Sequence, residues 1–188
     1  MVLTTPIKRR VTLLKRLIYV AHLCQQANNY NSVFEIVAGL NLGAVARLKR
    51  TWKMLPKKYW DVWIRLDKFV SAEGSYRNYR NHLRQLRESN PGCPVVPYLG
   101  VNMSDLTFSE DGNPTLMAHD DTLINFGKFQ LISRGFDQIL ELQRNQYPYR
   151  VDALLGDYLR RRWEAVDETT LYEYSFACEA RHSSLSPT

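Results

Sequence analysis

Apolar residues recur at intervals of three and four along residues 7–27, where Leu14, Leu17, Ile18, Ala21 and Cys24 form one stripe. That spacing predicts an amphipathic helix. Thr4 or Thr5 with Pro6 gives it a start signal, and Asn28-Asn29 a stop. Asn31-Ser32 are capping residue types for a second helix, VFEIVAGL, which ends at Asn41 and Gly43. A third short helix is expected over AVARLKRTW. Pro56 suits the first turn of a fourth, on which Tyr59, Trp63, Leu66 and Val70 share a face.

Glu73-Gly74-Ser75 reads as a turn, followed by a polar helix from Tyr76 to about Glu88 with Tyr79, Leu83 and Leu86 as its stripe. Ser89-Asn90-Pro91-Gly92 interrupts the chain, CPVVPYLGVNMSDLTF is apolar but broken, and Glu110-Asp111-Gly112-Asn113-Pro114 is a turn. The longest helix is expected from about Asp120 to Gln146, with Phe129, Ile132, Phe136 and Ile139 on its buried side. Acids at its start would suit the helix dipole. A short helix from Asp152 to about Trp163 follows, and the tail HSSLSPT is expected to be disordered. No segment alternates as a strand for more than five residues, and no repeat is visible. The pattern implies an all-α domain over residues 1–180 with a disordered tail at 181–188.

The 188 residues are enough for one domain with its own core. With 45% hydrophobic and 23% charged residues, the composition excludes a disordered chain. No apolar run reaches the roughly 18 residues of a membrane span. Three cysteines (Cys24, Cys93 and Cys178) form no metal-ligand spacing and read as reduced thiols. The net charge of +6 is unevenly placed. Residues 1–58 hold 11 Lys and Arg against one acid, Glu35, and the remainder holds 14 bases against 18 acids. A basic first third points to an anionic partner: nucleic acid, lipid headgroups or an acidic protein surface.

Signatures of covalent chemistry are missing. There is no P-loop, dinucleotide fingerprint or GxSxG elbow. His22, His82, His119 and His182 lack zinc-ligand spacing, so no metal site is expected. Cys24 lies on the apolar stripe and reads as an inert thiol. Trp52, Trp60, Trp63 and Trp163, interleaved with Arg47, Lys49, Arg50 and Lys53, could stack on bases, although Trp63 sits on an apolar face.

Residues 27–52 (ANNYNSVFEIVAGLNLGAVARLKRTW) and 97–114 (PYLGVNMSDLTFSEDGNP), then Leu123–Phe126 (LINF) and Leu171–Ala180 (LYEYSFACEA), occur in a set order. Together they resemble the signatures of the catalytic domain of Ras guanine-nucleotide exchange factors of the Son-of-sevenless type. The resemblance spans roughly residues 8 to 180. It implies an irregular all-helical domain with a protruding helix that binds a Ras-like small GTPase (Ras, Rap or Ral type). The domain promotes GDP release so that GTP can enter. Such a protein is not an enzyme in the covalent sense and needs no cofactor. It works by binding the nucleotide-free partner better than the loaded one, which by linkage weakens nucleotide affinity.

The resemblance also assigns roles. Thr107 matches the uncharged residue placed at the partner's magnesium position, and Asp111 the carboxylate placed near its phosphates. Asn113 matches the Asn that hydrogen-bonds the opened switch. Tyr98 opens the inserted helix, which corresponds to Pro97 to about Glu110, and Val101 follows on that helix as a GTPase-binding position. Phe34, Asn41 and Gly43 match the pocket for the second switch. Asp111 replaces the family's usual Glu, and Val95 its usual Cys. A full exchange domain has further helices before residue 7, so the chain reads as N-terminally truncated, with apolar surface exposed where those helices would pack. The expected location is cytoplasmic, with recruitment to the inner face of membranes and attraction to anionic lipids. No homo-oligomer is expected. Two other readings stand beside this one: a non-catalytic GTPase-binding fragment, and nucleic-acid binding through the basic first third, ranked last.

Overall fold

The computed structural model describes residues 1–161 and 166–180. Its ten helices among the described residues make it an all-α domain, with one two-stranded hairpin. Two compact units emerge; three of the four boundaries between them fall within helices, and the fourth, at Tyr147/Pro148, falls between helices. The first is built from residues 1–22, 35–67 and 148 onward, the second from residues 23–34 and 68–147.

The first unit begins on α1 (Ile7–Gln26), whose Leu14, Ile18 and Ala21 are fully buried, as the stripe predicts. α2 (Tyr30–Asn41) starts one residue after its cap. The cap is Asn29 rather than Asn31: the Asn29 side chain accepts from the Ser32 amide at 3.1 Å. The expected third helix is two, α3 (Gly43–Ala46) and α4 (Lys49–Lys53), because Leu48 leaves helical geometry at ψ 63 to bury its side chain. α5 (Lys57–Val70) buries Trp63 and Leu66 in this unit.

The C-terminal helices α9 (Ala153–Arg161) and α10 (Glu168–Cys178) return to the first unit. The expected end of α9 near Trp163, together with His182 and the tail, lies outside the described residues. α10 packs on α3. Arg47 Nη1 donates to the Ser175 carbonyl and hydroxyl, both at 2.9 Å, and Nη2 donates to the Glu179 carbonyl at 2.8 Å. Beneath this lies a polar core that the periodicity does not reveal. Arg10 is 1% exposed and Glu179 7%, and their side chains meet at 3.2 Å.

The second unit is organised by α6 (Glu73–Ser89), α7 (Leu99–Asp111) and α8 (Phe126–Gln143). The turn read at residues 73–75 is real. Gly74, Ser75 and Tyr76 all have positive φ, so regular helix starts at the next residue. Tyr79 of α6 is buried as expected.

Two expectations for the third long helix need correction. Asp120 opens a strand, not a helix: β1 (Leu116–Met117) pairs antiparallel with β2 (Asp120–Ile124). The Asp120 carboxylate is taken up by the Thr122 amide and hydroxyl, at 2.9 and 2.6 Å, which fixes a turn. Asn125 then caps α8 by accepting from the Lys128 amide. α8 is therefore shorter than α1. Its buried side holds only in part: Ile132 and Ile139 are half-buried as expected. Phe129 and Phe136 are 43% and 53% exposed, while Lys128 and Leu142 are buried. Gly135 decides this: a Cβ there would come within 2.8 Å of Leu106 Cδ2, so the side facing α7 must be the one without a side chain.

Candidate functional site

α7 carries the sequence SDLTFSED and two faces. Its inner face is anchored. Val101 is 3% exposed, Asp105 forms a bidentate pair with Arg80 of α6 at 2.7 Å for both bonds, and Glu110 Oε1 accepts from Lys128 Nζ at 2.6 Å. The Lys128 ammonium is buried and also donates to Thr115 Oγ1 at 3.0 Å, so α8 holds the end of α7 through a desolvated cation.

The outer face of α7 is free. Met103, Thr107 and Asp111 lie one turn apart and are exposed, as is Phe108. The Thr107 hydroxyl donates to the Met103 carbonyl at 3.0 Å, so its proton is spent within the helix and the position carries no charge. The two successive acids are thus divided: Glu110 is consumed by Lys128, whereas no hydrogen bond or ion pair holds the Asp111 carboxylate among the described residues. Just beyond, Asn113 is half-buried and its Nδ2 donates to the Ser109 carbonyl at 3.0 Å, closing the helix. Asn125, from LINF, donates to the Pro114 carbonyl at 3.0 Å, so the two short motifs are tied to each other.

An aromatic cluster supports the start of α7. Tyr98 stacks on Phe34 with centroids 3.9 Å apart and an interplanar angle of 7°. Phe34 is buried, and it also meets Phe69, Tyr76 and Tyr79. The Tyr98 amide donates to Tyr79 Oη at 3.0 Å. Tyr30, fully buried, donates to Asn28 Oδ1 at 3.0 Å and lies 3.0 Å from His82 Nε2. Burial pushes the Tyr30 and Tyr79 hydroxyls up and the His82 imidazole down from their ordinary values.

The site residues read from sequence are therefore distributed. Phe34, Tyr98, Val101, Thr107, Asp111 and Asn113 all lie in the second unit. Of these, Phe34 and Tyr98 touch, Thr107 and Asp111 share a helix face, and Val101 and Phe34 point inward. Asn41 and Gly43 belong to the first unit. Asn41 is exposed and donates to Asp67 Oδ1 at 2.8 Å. Gly43 is required by close approach, since a Cβ there would come within 2.1 Å of Tyr172 Oη. Lys128 and Arg80 have no counterpart in the sequence reading. A lone Lys within an apolar helix stripe was the only available signal for the first.

Comparison with known proteins decides which lineage this arrangement belongs to. A family described as RasGEF domain matches residues 1–130, which includes α7 and its motif. The chain belongs to the RasGEF domain family. Over 177 residues this RasGEF chain is 39% identical to Ras guanine nucleotide exchange factor K of Dictyostelium discoideum, covering 94% of the chain and 11% of that protein. It is 35% identical to human Ras-specific guanine nucleotide-releasing factor 1, covering 93% of the chain and 13% of the relative. It is 36% identical to Ras guanine nucleotide exchange factor M of Dictyostelium discoideum, covering 93% and 18%. The RasGEF chain thus spans less than a fifth of the length of these relatives.

Proposed function

We propose that this chain binds a Ras-like small GTPase of the Ras, Rap or Ral type and promotes loss of its GDP. The observation that carries the reading is the division of the two acids at the end of α7. Glu110 is locked by Lys128, while Asp111 stands free one turn from Thr107. A rigid helix with an uncharged position and an unpaired carboxylate on one exposed face can act on a magnesium–phosphate site in two ways. Thr107 offers the cation no ligand charge. Asp111 repels phosphate and competes for its donors.

No bond is made or broken, so the work is differential binding, and the chain is a regulator rather than a covalent catalyst. In this reading Tyr98 and Asn113 frame the contact, and Val101 and Phe34 seat the helix from behind. Asn41 and Gly43 serve the second switch. Recruitment to the inner face of a membrane, where a lipid-anchored partner sits, belongs to the same reading, and neither nucleic acid nor self-association is part of it.

The test is release of a fluorescent GDP analogue from a panel of Ras, Rap and Ral proteins. Release should accelerate with rising concentration of this chain. Asp111→Ala should slow exchange about ten- to a hundredfold, the worth of one charge-assisted contact, while weakening binding of nucleotide-free GTPase much less. Equal losses in both would remove the role given to Asp111. A second reading, a binding fragment that no longer opens its partner, is favoured by the shorter reach of Asp at position 111 compared with the Glu of the family signature. Capture of nucleotide-free GTPase without faster release would select it.

A further inference from the structure

The first unit carries a basic surface that the proposed exchange site does not use. α1 has four exposed or half-exposed cations, Lys8, Arg9, Lys15 and Arg16, and no acid at all. Residues 49–58, on α4 and the start of α5, add five more, all exposed. The two sets are spatial neighbours. Arg10 of α1 donates to Thr51 of α4 at 2.8 Å, and Lys15 Nζ sits 5.9 Å from the ring centroid of Tyr59 on α5. None of the nine cations lies within ion-pair distance of a carboxylate among the described residues. Exposed apolar side chains occur on the same helices: Tyr19 and Val20 on α1, Met54 after α4, and Trp60 on α5.

We propose that this surface of α1, α4 and the start of α5 is a docking face for an anionic lipid bilayer. The inference builds on the membrane recruitment suggested above by naming the surface that achieves it. Unpaired basic residues close to a negatively charged leaflet each gain about fivefold in binding, and among the described residues no carboxylate forms an ion pair with these nine. The mixture of side chains suits the same occupant. Tyr and Trp interleaved with Lys is the composition that settles at a headgroup boundary, with ring and stem in the apolar layer and charge in water. The cations and indoles favour lipid over nucleic acid. Six of the nine cations are Lys, which lacks the planar fork that reads base edges bidentately. Among the described residues Trp63 is buried and Trp52 is half-buried 5.0 Å from it, so Trp60 is the one exposed indole of the three and no run of stacking platforms is formed. No helix of the described chain is long and apolar enough to cross a membrane, so the contact is peripheral.

The experiment is co-sedimentation of the full chain with vesicles of phosphatidylcholine alone and of phosphatidylcholine with phosphatidylserine. Binding is expected only to the second and should weaken steeply with added salt, since screening sets in beyond a Debye length of about 8 Å at physiological ionic strength. The fourfold variant Lys8→Gln, Arg9→Gln, Lys57→Gln, Lys58→Gln should bind several hundredfold more weakly, from about fivefold per residue. Equal binding to both vesicle types, no binding to either, or an unchanged fourfold variant would overturn the proposal, as would tighter binding to single-stranded RNA or duplex DNA than to serine-containing vesicles at equal salt. Should the variant misfold, the wild-type salt dependence and vesicle selectivity still decide. Nucleotide release measured in solution without vesicles separates this from the exchange reading: the fourfold variant should retain it in full. Lipid selectivity without exchange would remove the exchange reading alone, and exchange without lipid selectivity would remove this surface alone.

Discussion

Replacing Glu179 by Gln tests the polar core of the first unit. The carboxylate takes four donors. Oε1 accepts from Thr51 Oγ1 at 2.6 Å, from the Thr51 amide at 2.9 Å and from Arg10 Nη2 at 3.2 Å; Oε2 accepts from the Arg50 amide at 3.0 Å. A Gln can keep one oxygen toward Thr51 and Arg10. Its amide nitrogen then faces the Arg50 N–H, donor against donor, and the Arg10 guanidinium stays buried without its counter-charge. Breaking one side of a buried pair costs about 3–5 kcal/mol. The retained oxygen argues for the low end, about 3 kcal/mol. For a chain of this size that corresponds to a fall in Tm of roughly 6–12 °C.

Burial alone would raise the Glu179 carboxyl, but the hydrogen bonds from Thr51, Arg50 and Arg10 outweigh it and hold the group below its ordinary value. Its stabilising contribution is therefore complete above the unfolded carboxylate value near about 4.3 and is lost as pH falls through the lower folded value. Urea unfolding at neutral pH and again in acid reads both effects: the gap between wild type and Glu179→Gln should narrow in acid. Paired with Arg10→Met, the cycle should show a coupling of at least about 2 kcal/mol. A loss below about 1 kcal/mol, or additive single changes, would show that the four donors are satisfied equally well without the charge.

Three further outcomes follow from the second unit. Tyr98→Ala removes the stack on Phe34 and should cost about 2–4 kcal/mol in chemical denaturation, with Tyr98→Phe close to wild type because the stack needs only the ring; a Phe variant as unstable as Ala would contradict this. Lys128→Met frees Glu110, so amide hydrogen exchange at the C-terminal turn of α7 should quicken while α1 is unchanged, and uniform protection of α7 would refute the anchoring role. His82 is held neutral by burial, so its folded value lies below the unfolded one near about 6.5. Stability is then full above that value and declines as pH falls toward the folded value. Across that interval His82→Gln should flatten the dependence, and an identical slope would assign it to another group.

The helix count was largely legible in the chain because apolar spacing survives wherever one face is buried. α1, α5 and α6 follow their stripes for that reason. The motif on α7 was legible as well, since Leu99–Asp111 carries an irregular run of residues that periodicity alone would not demand. Tertiary structure decided what spacing cannot encode. Phe129 and Ile132 are equally apolar, and only the missing side chain of Gly135, filled by Leu106, selects which side of α8 is buried. Asp120-Asp121 suits a helix start by charge, yet hydrogen bonds from Thr122 make a strand turn of it. Glu110 and Asp111 are adjacent and chemically alike, and only a cation arriving from another helix takes one and leaves the other free. Arg10 and Glu179 stand 169 residues apart, and no local pattern announces that a buried charge at one end of the chain will be neutralised at the other. Local order follows from neighbours along the chain, whereas the fate of each charge depends on which groups share its low-dielectric surroundings.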